Sequence, residues 1–123
     1  MHHIGTDIIE ISRIEKAIRR WGAPFLRRIY TSHEIELYQK YPASLAVRFA
    51  AKEAVMKALD AANKGVGFRD IEILTELNGK PVVKLHGQAK KLAGSMGIDY
   101  LEVSLSHSRD NALAVAIAEI RND

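Results

Sequence analysis

The sequence predicts an α+β domain in which a long central helix packs on a largely antiparallel sheet. Three observations carry this expectation. A β-branched stretch opens the chain, a run of strong helix formers at 48–59 ("RFAAKEAVMKAL") contains neither Gly nor Pro, and the second half holds alternating segments around hairpin turn signals. The expected order is β-α-α-α-β-β-α-β-β, in a single domain spanning residues 1–123.

Each element has a local cause. "IGTDIIEI" (4–11) reads as a strand, with Asp7 near its middle. "SRIE" (12–15) has the form of a capping box, with Ser12 as N-cap, and opens a helix whose Ile14, Ala17, Ile18 and Trp21 share one face. Arg13, Lys16 and Arg20 fall on another face, and Gly22 and Pro24 end the helix. "TSHE" (31–34) repeats the capping-box form and starts a short helix through Tyr38. The long helix is expected from about Ser44 to Ala62, closed by "NKGVG". "FRDIEIL" and "PVVKL" alternate as strands around the turn "NGK", and "GQAKKLAGSMG" is a helix with Ala89, Leu92, Ala93 and Met96 inward. "YLEVSLS" and "ALAVAIAEI" complete the sheet, joined by the polar loop "HSRDN".

Composition narrows the function classes. With no cysteine, thiol catalysis, disulfides and thiolate metal sites are excluded, and a cytoplasmic protein is expected. The N-terminal "MHHIGTDIIEI" lacks a basic leader and a long apolar stretch, so neither a signal peptide nor a membrane partner is expected. Residues 1–60 hold ten Lys/Arg against seven Asp/Glu, whereas 61–123 hold eight of each. The positive surplus therefore lies in the first half, where Arg13, Lys16, Arg19, Arg20, Arg27 and Arg28 crowd together and favour an acidic partner.

Two carboxylates stand out. Asp7 is unfavourable inside a strand unless it lies at an edge or has a partner; Glu10 points to the opposite face and reads as solvated. On the long helix Phe49, Glu53 and Lys57 share a face. Glu53 and Lys57 fit a routine i,i+4 surface pair. They equally fit a site in which Asp7 and Glu53 hold Mg²⁺, an ion that takes oxygen ligands and is completed by water and substrate phosphates. Lys57, with Arg48 and Lys52 on the same helix, would then supply positive charge for those phosphates. His107 in the polar loop reads as a turn residue, and "GKP" (79–81) as a hairpin turn.

Taken in order, "GTDIIEISRI", "RFAAKEAVMKAL", "GFRDIEI", "NGKPVVKL" and "VSLSHSRDNALAVA" resemble the bacterial holo-[acyl-carrier-protein] synthases, the short phosphopantetheinyl transferases. The resemblance implies transfer of 4′-phosphopantetheine from coenzyme A to a serine of apo-acyl carrier protein in fatty acid biosynthesis, with release of adenosine 3′,5′-bisphosphate. It implies Mg²⁺ on Asp7 and Glu53, and catalytic roles for Asp7, Glu53 and Lys57. Coenzyme A contacts would fall to Arg48, Lys52, Lys57, Lys80, Pro81 and His107, and carrier docking to Arg13, Arg20 and Arg28. A homotrimer with active sites between subunits is also implied. The chain departs from the family where Gly-Thr-Gly usually follows the lysine and an aromatic or Leu: here the segment is "LDAANKGVG", with Asp60 at the first glycine. Gly65 and Gly67 are then expected to make the bend, one turn later. Two other readings stand beside the transferase: a non-catalytic RNA- or DNA-binding module using the arginine-rich helix, and a trimeric scaffold that has lost activity.

Overall fold

The computed structural model describes residues 1–120; Arg121, Asn122 and Asp123 lie outside the described part. Strand β1 (His2–Glu10) runs into helix α1 (Ile11–Trp21), followed by α2 (Ala23–Ile29), α3 (Ser32–Tyr38) and the long α4 (Pro42–Ala58). A 3-10 turn at Phe68–Asp70 leads to β2 (Ile71–Thr75) and β3 (Pro81–Leu85), then α5 (Gly87–Met96), β4 (Ile98–His107) and β5 (Asn111–Ile120). Three strands form an antiparallel sheet in the order β1-β5-β4, and β2-β3 is a separate antiparallel hairpin. The α+β architecture thus matches the expectation, with one helix more than the sequence suggested.

That helix is α2. Gly22 (φ 61°) does end α1, but the proline after it sits in the first turn of a new helix, where its missing N–H costs nothing. Trp21, at helical spacing with Ile14, Ala17 and Ile18, lies at this break and is 59% exposed. The Ser12 capping box is likewise absent. Helix α1 begins at Ile11, whose N–H donates to the Asp110 carbonyl across the sheet end, and its N-cap Glu10 makes no side-chain cap bond. The Thr31–Glu34 box is present in both directions.

What positions the site is the packing of α4 on the sheet. The inward face of β5 is a file of fully buried alanines, Ala112, Ala114, Ala116 and Ala118, and α4 answers with Ala50, Ala54 and Ala58. Small side chains on both surfaces let the helix lie close. At the crossing with β1 even a methyl group is too large: a Cβ on Gly5 would lie 1.9 Å from the Ala54 carbonyl oxygen and 2.8 Å from the Ala58 nitrogen. Side chains two apart share a strand face, so Asp7 points to the same side as Gly5 and is held against α4. Leu45, Val55, Leu59, Ile71, Ile73 and Tyr30 fill the rest of the core without exposure.

Helix α4 stops at Ala58, short of the expected Ala62. The Asp60 N–H donates to the Lys57 carbonyl and the Ala61 N–H to the Met56 carbonyl, the pair of bonds of a Schellman ending. The left-handed residue this ending requires is Asp60 itself, at φ 49°. Aspartate tolerates that conformation better than most residues, so it takes the place where glycine is usual. Gly65 (φ 76°) contributes only a later bend.

Candidate active site

Neighbouring charges on α4 have opposite surroundings. The Lys57 ammonium donates to the Thr6 carbonyl at 2.8 Å and lies 3.2 Å from Asp7 Oδ1. Its ion pair is therefore with β1, made possible by the close approach at Gly5, and not the routine one along its own helix. Glu53, one turn back, is half-buried beside the same aspartate. Burial pushes its carboxyl above the ordinary carboxylate range, the Asp7 charge pushes it further in the same direction, and Lys57 pulls it partly back. Two carboxylates from elements distant in sequence thus lie near enough to repel one another, with Lys57 in contact with Asp7.

Glu53 and Lys57 line a cleft of about 440 Å³ together with Met56, Asp60, Ala61 and Val66. Asp60, at the left-handed end of α4, lines it and pairs with Lys64 at 3.6 Å. The donor set fits a hard divalent cation. Asp7 and Glu53 offer only oxygen ligands, and the like charge that raises the Glu53 carboxyl is what a cation between them would offset. Among the described residues, no group of three or more His, Asp or Glu converges, which leaves such an ion's remaining positions to water and substrate oxygens.

The other expected site residues lie elsewhere. Lys80 and Pro81 border a second groove, of about 390 Å³, with Thr75, Glu102, Ser104 and Ile117. Lys80 is paired there with Glu102 at 3.4 Å. His107 is exposed at the end of β4, in register with Ala112 of β5. Arg13, Arg20 and Arg28 are all exposed on α1 and α2, and the Arg20 guanidinium sits 5.0 Å over the ring of Trp21. Trp21, Pro24, Phe25 and Arg28 enclose a hollow of about 350 Å³.

Arg48 and Lys52 are not placed to touch a substrate, contrary to expectation. Lys52 is fully buried: its ammonium contacts Glu34 Oε1 at 2.7 Å and the carbonyls of Phe68 and Ile71. Arg48 is 4% exposed; it donates to the carbonyls of Ile73 and Ser44 and to Thr75 Oγ1, and its guanidinium stacks 3.4 Å from the Tyr38 ring centre. Burial lowers the pKa of both cations, and the Glu34 carboxylate works against that in each. Their donors are committed to stitching α4 to the β2 strand. Glu34 was legible only as a cap; in the fold it is fully buried and also accepts from the Ile73 N–H at 2.8 Å. Nothing in a capping-box motif signals that second duty.

Comparison with known proteins agrees with the fold. The family profile of the 4′-phosphopantetheinyl transferase superfamily matches residues 3–118. The holo-[acyl-carrier-protein] synthase of Dehalococcoides mccartyi (strain CBDB1) is 48% identical over 119 residues, covering 97% of this chain and 99% of that one. That of Herpetosiphon aurantiacus is 44% identical and covers 92% and 94%. Among solved structures, the holo-ACP-synthase of Plasmodium yoelii superposes with a TM-score of 0.86 at 32% identity, covering 99% of both chains. The Helicobacter pylori holo-[acyl-carrier-protein] synthase in complex with coenzyme A gives 0.85 at 36% identity, over 94% of this chain and 99% of that one. The chain belongs to the 4′-phosphopantetheinyl transferase superfamily and, within it, to the holo-[acyl-carrier-protein] synthases. It is an enzyme, and the basic α1–α2 surface is to be read in that light.

Proposed function

We propose that this enzyme moves 4′-phosphopantetheine from coenzyme A to a serine hydroxyl of an apo-acyl carrier protein, releasing adenosine 3′,5′-bisphosphate, with Mg²⁺, in the cytoplasm and in the service of fatty acid biosynthesis. The observation that carries the reading is the meeting of Asp7 and Glu53 beside Lys57, on a scaffold shared with a coenzyme A complex. Asp7 and Glu53 would hold the cation, which when bound would neutralise charge on the pyrophosphate oxygens. The Glu53 carboxylate is the candidate base for the incoming hydroxyl. Lys57 offsets charge on the departing bisphosphate. The nucleophile belongs to the partner, so this chain supplies no activated serine or cysteine of its own.

Two surfaces support the assembly and docking parts of this reading. On the outer face of the β1-β5-β4 sheet, Ile4, Ile8, Leu113 and Ile117 are 64%, 63%, 42% and 40% exposed. An apolar sheet face of this kind suits burial against another copy, and the groove at Lys80 and Pro81 runs onto it through Val115 and Ile117. In a homotrimer the coenzyme A contacts of Lys80, Pro81 and His107 would be presented to a neighbour's Glu53 cleft. The hollow at Trp21 and Phe25, rimmed by Arg20 and Arg28 with Arg13 one face away, suits an amphipathic acidic helix of the carrier.

The test is to incubate the enzyme with apo-carrier protein, coenzyme A and Mg²⁺ and to weigh the carrier. The expected result is a gain of one phosphopantetheine, abolished by EDTA and reduced about 10²- to 10⁴-fold in Glu53→Gln with the fold intact. An unchanged carrier, together with salt-sensitive RNA binding, would replace this reading by the nucleic-acid one.

A further inference from the structure

We propose that Asp60 and Lys64 form an exchangeable pair at the rim of the cleft, in which Lys64 leaves Asp60 for a phosphate of coenzyme A and Asp60 thereby sets the enzyme's affinity for that substrate. The proposal rests on the transferase reading and adds to it a substrate-binding cation and an affinity-setting carboxylate.

Three independent observations point this way. First, Asp60 occupies a left-handed backbone position at φ 49°, where a side chain has a cost and glycine has none. Aspartate bears that cost better than most residues, and here it sets a carboxylate at the end of α4. Second, its location is the cleft itself: Asp60 lines the same space as Glu53 and Lys57, so its carboxylate faces whatever anion enters. Third, the Lys64 ammonium is 3.6 Å from that carboxylate, with the two side chains 44% and 82% exposed. An ion pair so open to water contributes little to stability, so exchanging partners costs little. A phosphate offers more charge and more acceptor oxygens than the carboxylate it displaces.

The loop is built to hold this geometry while leaving the side chains free. The Schellman bonds at Asp60 and Ala61 fix its start, and the Lys64 N–H donates to the Ala61 carbonyl. Ala61 is buried, anchoring the segment, whereas Asp60 and Lys64 project outward. Lys57 is already engaged by Asp7 and Thr6 of β1. Lys64 is therefore the cation beside this cleft whose partner is most easily given up. While it stays with Asp60, the carboxylate both restrains the lysine and repels an approaching phosphate. The resulting affinity for coenzyme A is lower than a glycine at position 60 would give.

The experiment measures transfer kinetics and, separately, calorimetric binding of coenzyme A for the full chain and its variants. Lys64→Ala is expected to raise KM and Kd for coenzyme A about fivefold with kcat maintained, the size of one exposed charged contact, and Lys64→Arg to restore both. Asp60→Asn keeps a residue that tolerates the left-handed position but removes the charge; it is expected to lower KM about twofold to threefold. That gain should shrink in the Lys64→Ala background. Unchanged KM and Kd in both single variants would overturn the proposal, as would a fall in kcat at constant KM. Absence of transfer by the wild-type enzyme would overturn the transferase reading instead. Coenzyme A binding that is lost in Lys64→Ala would then still uphold the role of Lys64.

Discussion

Lys52 and Glu53 are adjacent on α4 and share almost nothing else. Lys52 points into the protein, where one carboxylate and two backbone carbonyls take its three protons and no water reaches it. Glu53 points toward the cleft, where the charge that acts on it most strongly is another carboxylate. A buried charge with a full set of partners is structure; a half-buried charge set beside its like stores an unsatisfied demand, and a cation or a proton meets it. The contrast separates the two uses of charge in this helix and explains why the more deeply buried residues, Arg48 and Lys52, are the less suited to chemistry.

The buried side of the comparison should break first and hardest. Lys52→Ala leaves the fully buried Glu34 without its ion pair, and chemical denaturation should show a loss of about 3–5 kcal/mol. Replacing both partners, as in Lys52→Met with Glu34→Leu, should recover part of that loss, because no orphaned charge remains. The Thr31 N–H and Ile73 N–H that Glu34 serves would still lack acceptors, so recovery is incomplete.

The cleft side is more easily disturbed through the backbone. Gly5→Ala forces β1 and α4 apart at a point where the added carbon would overlap the Ala54 carbonyl. Overpacking of this kind costs about 1–3 kcal/mol, to be read as a drop in denaturation midpoint. Because Asp7 lies two residues on, transfer activity should fall by more than the stability loss accounts for. If activity tracks stability alone, the helix–strand spacing does not set the carboxylate geometry.

The smallest effect on the fold should come from the exposed cations. Arg13→Ala should leave the denaturation midpoint within about 0.5 kcal/mol of wild type, as surface substitutions do, while weakening carrier docking far more than coenzyme A binding. A variant in which only coenzyme A affinity falls would place the docking surface elsewhere.

Much of this was legible in the chain. The strand bearing Asp7, the Glu53–Lys57 helix, the Thr31 cap and the "NGK" hairpin are all local signals, and the structure has each of them. What failed has separate physical causes. Helix α4 is apolar on nearly every side, with Leu45, Val47, Ala50, Ala54, Val55 and Ala58 all buried, so periodicity could not say which of its charges faced inward. Arg48 and Lys52, read as substrate contacts, are the consequence. Helix α2 was hidden because Gly22 and Pro24 signal an end as readily as a start. The Schellman ending at Asp60 was missed because glycine is the default residue there, and Gly65 offered itself instead.

The central claim is that Asp7 and Glu53 face each other across a site for one divalent cation. In the absence of that cation the Glu53 carboxyl is raised, so its contribution to stability is present below the ordinary carboxylate range and is lost as pH rises through the raised value. Following the Glu53 side-chain carboxyl by NMR across pH, with and without Mg²⁺, in wild type and in Asp7→Asn, tests this directly. The account predicts a pKa above the ordinary glutamate value in the wild type, drawn down by Mg²⁺. In Asp7→Asn it should be lower from the outset and no longer respond to Mg²⁺. A wild-type titration that Mg²⁺ leaves unmoved, or one indifferent to the loss of the Asp7 charge, would contradict it.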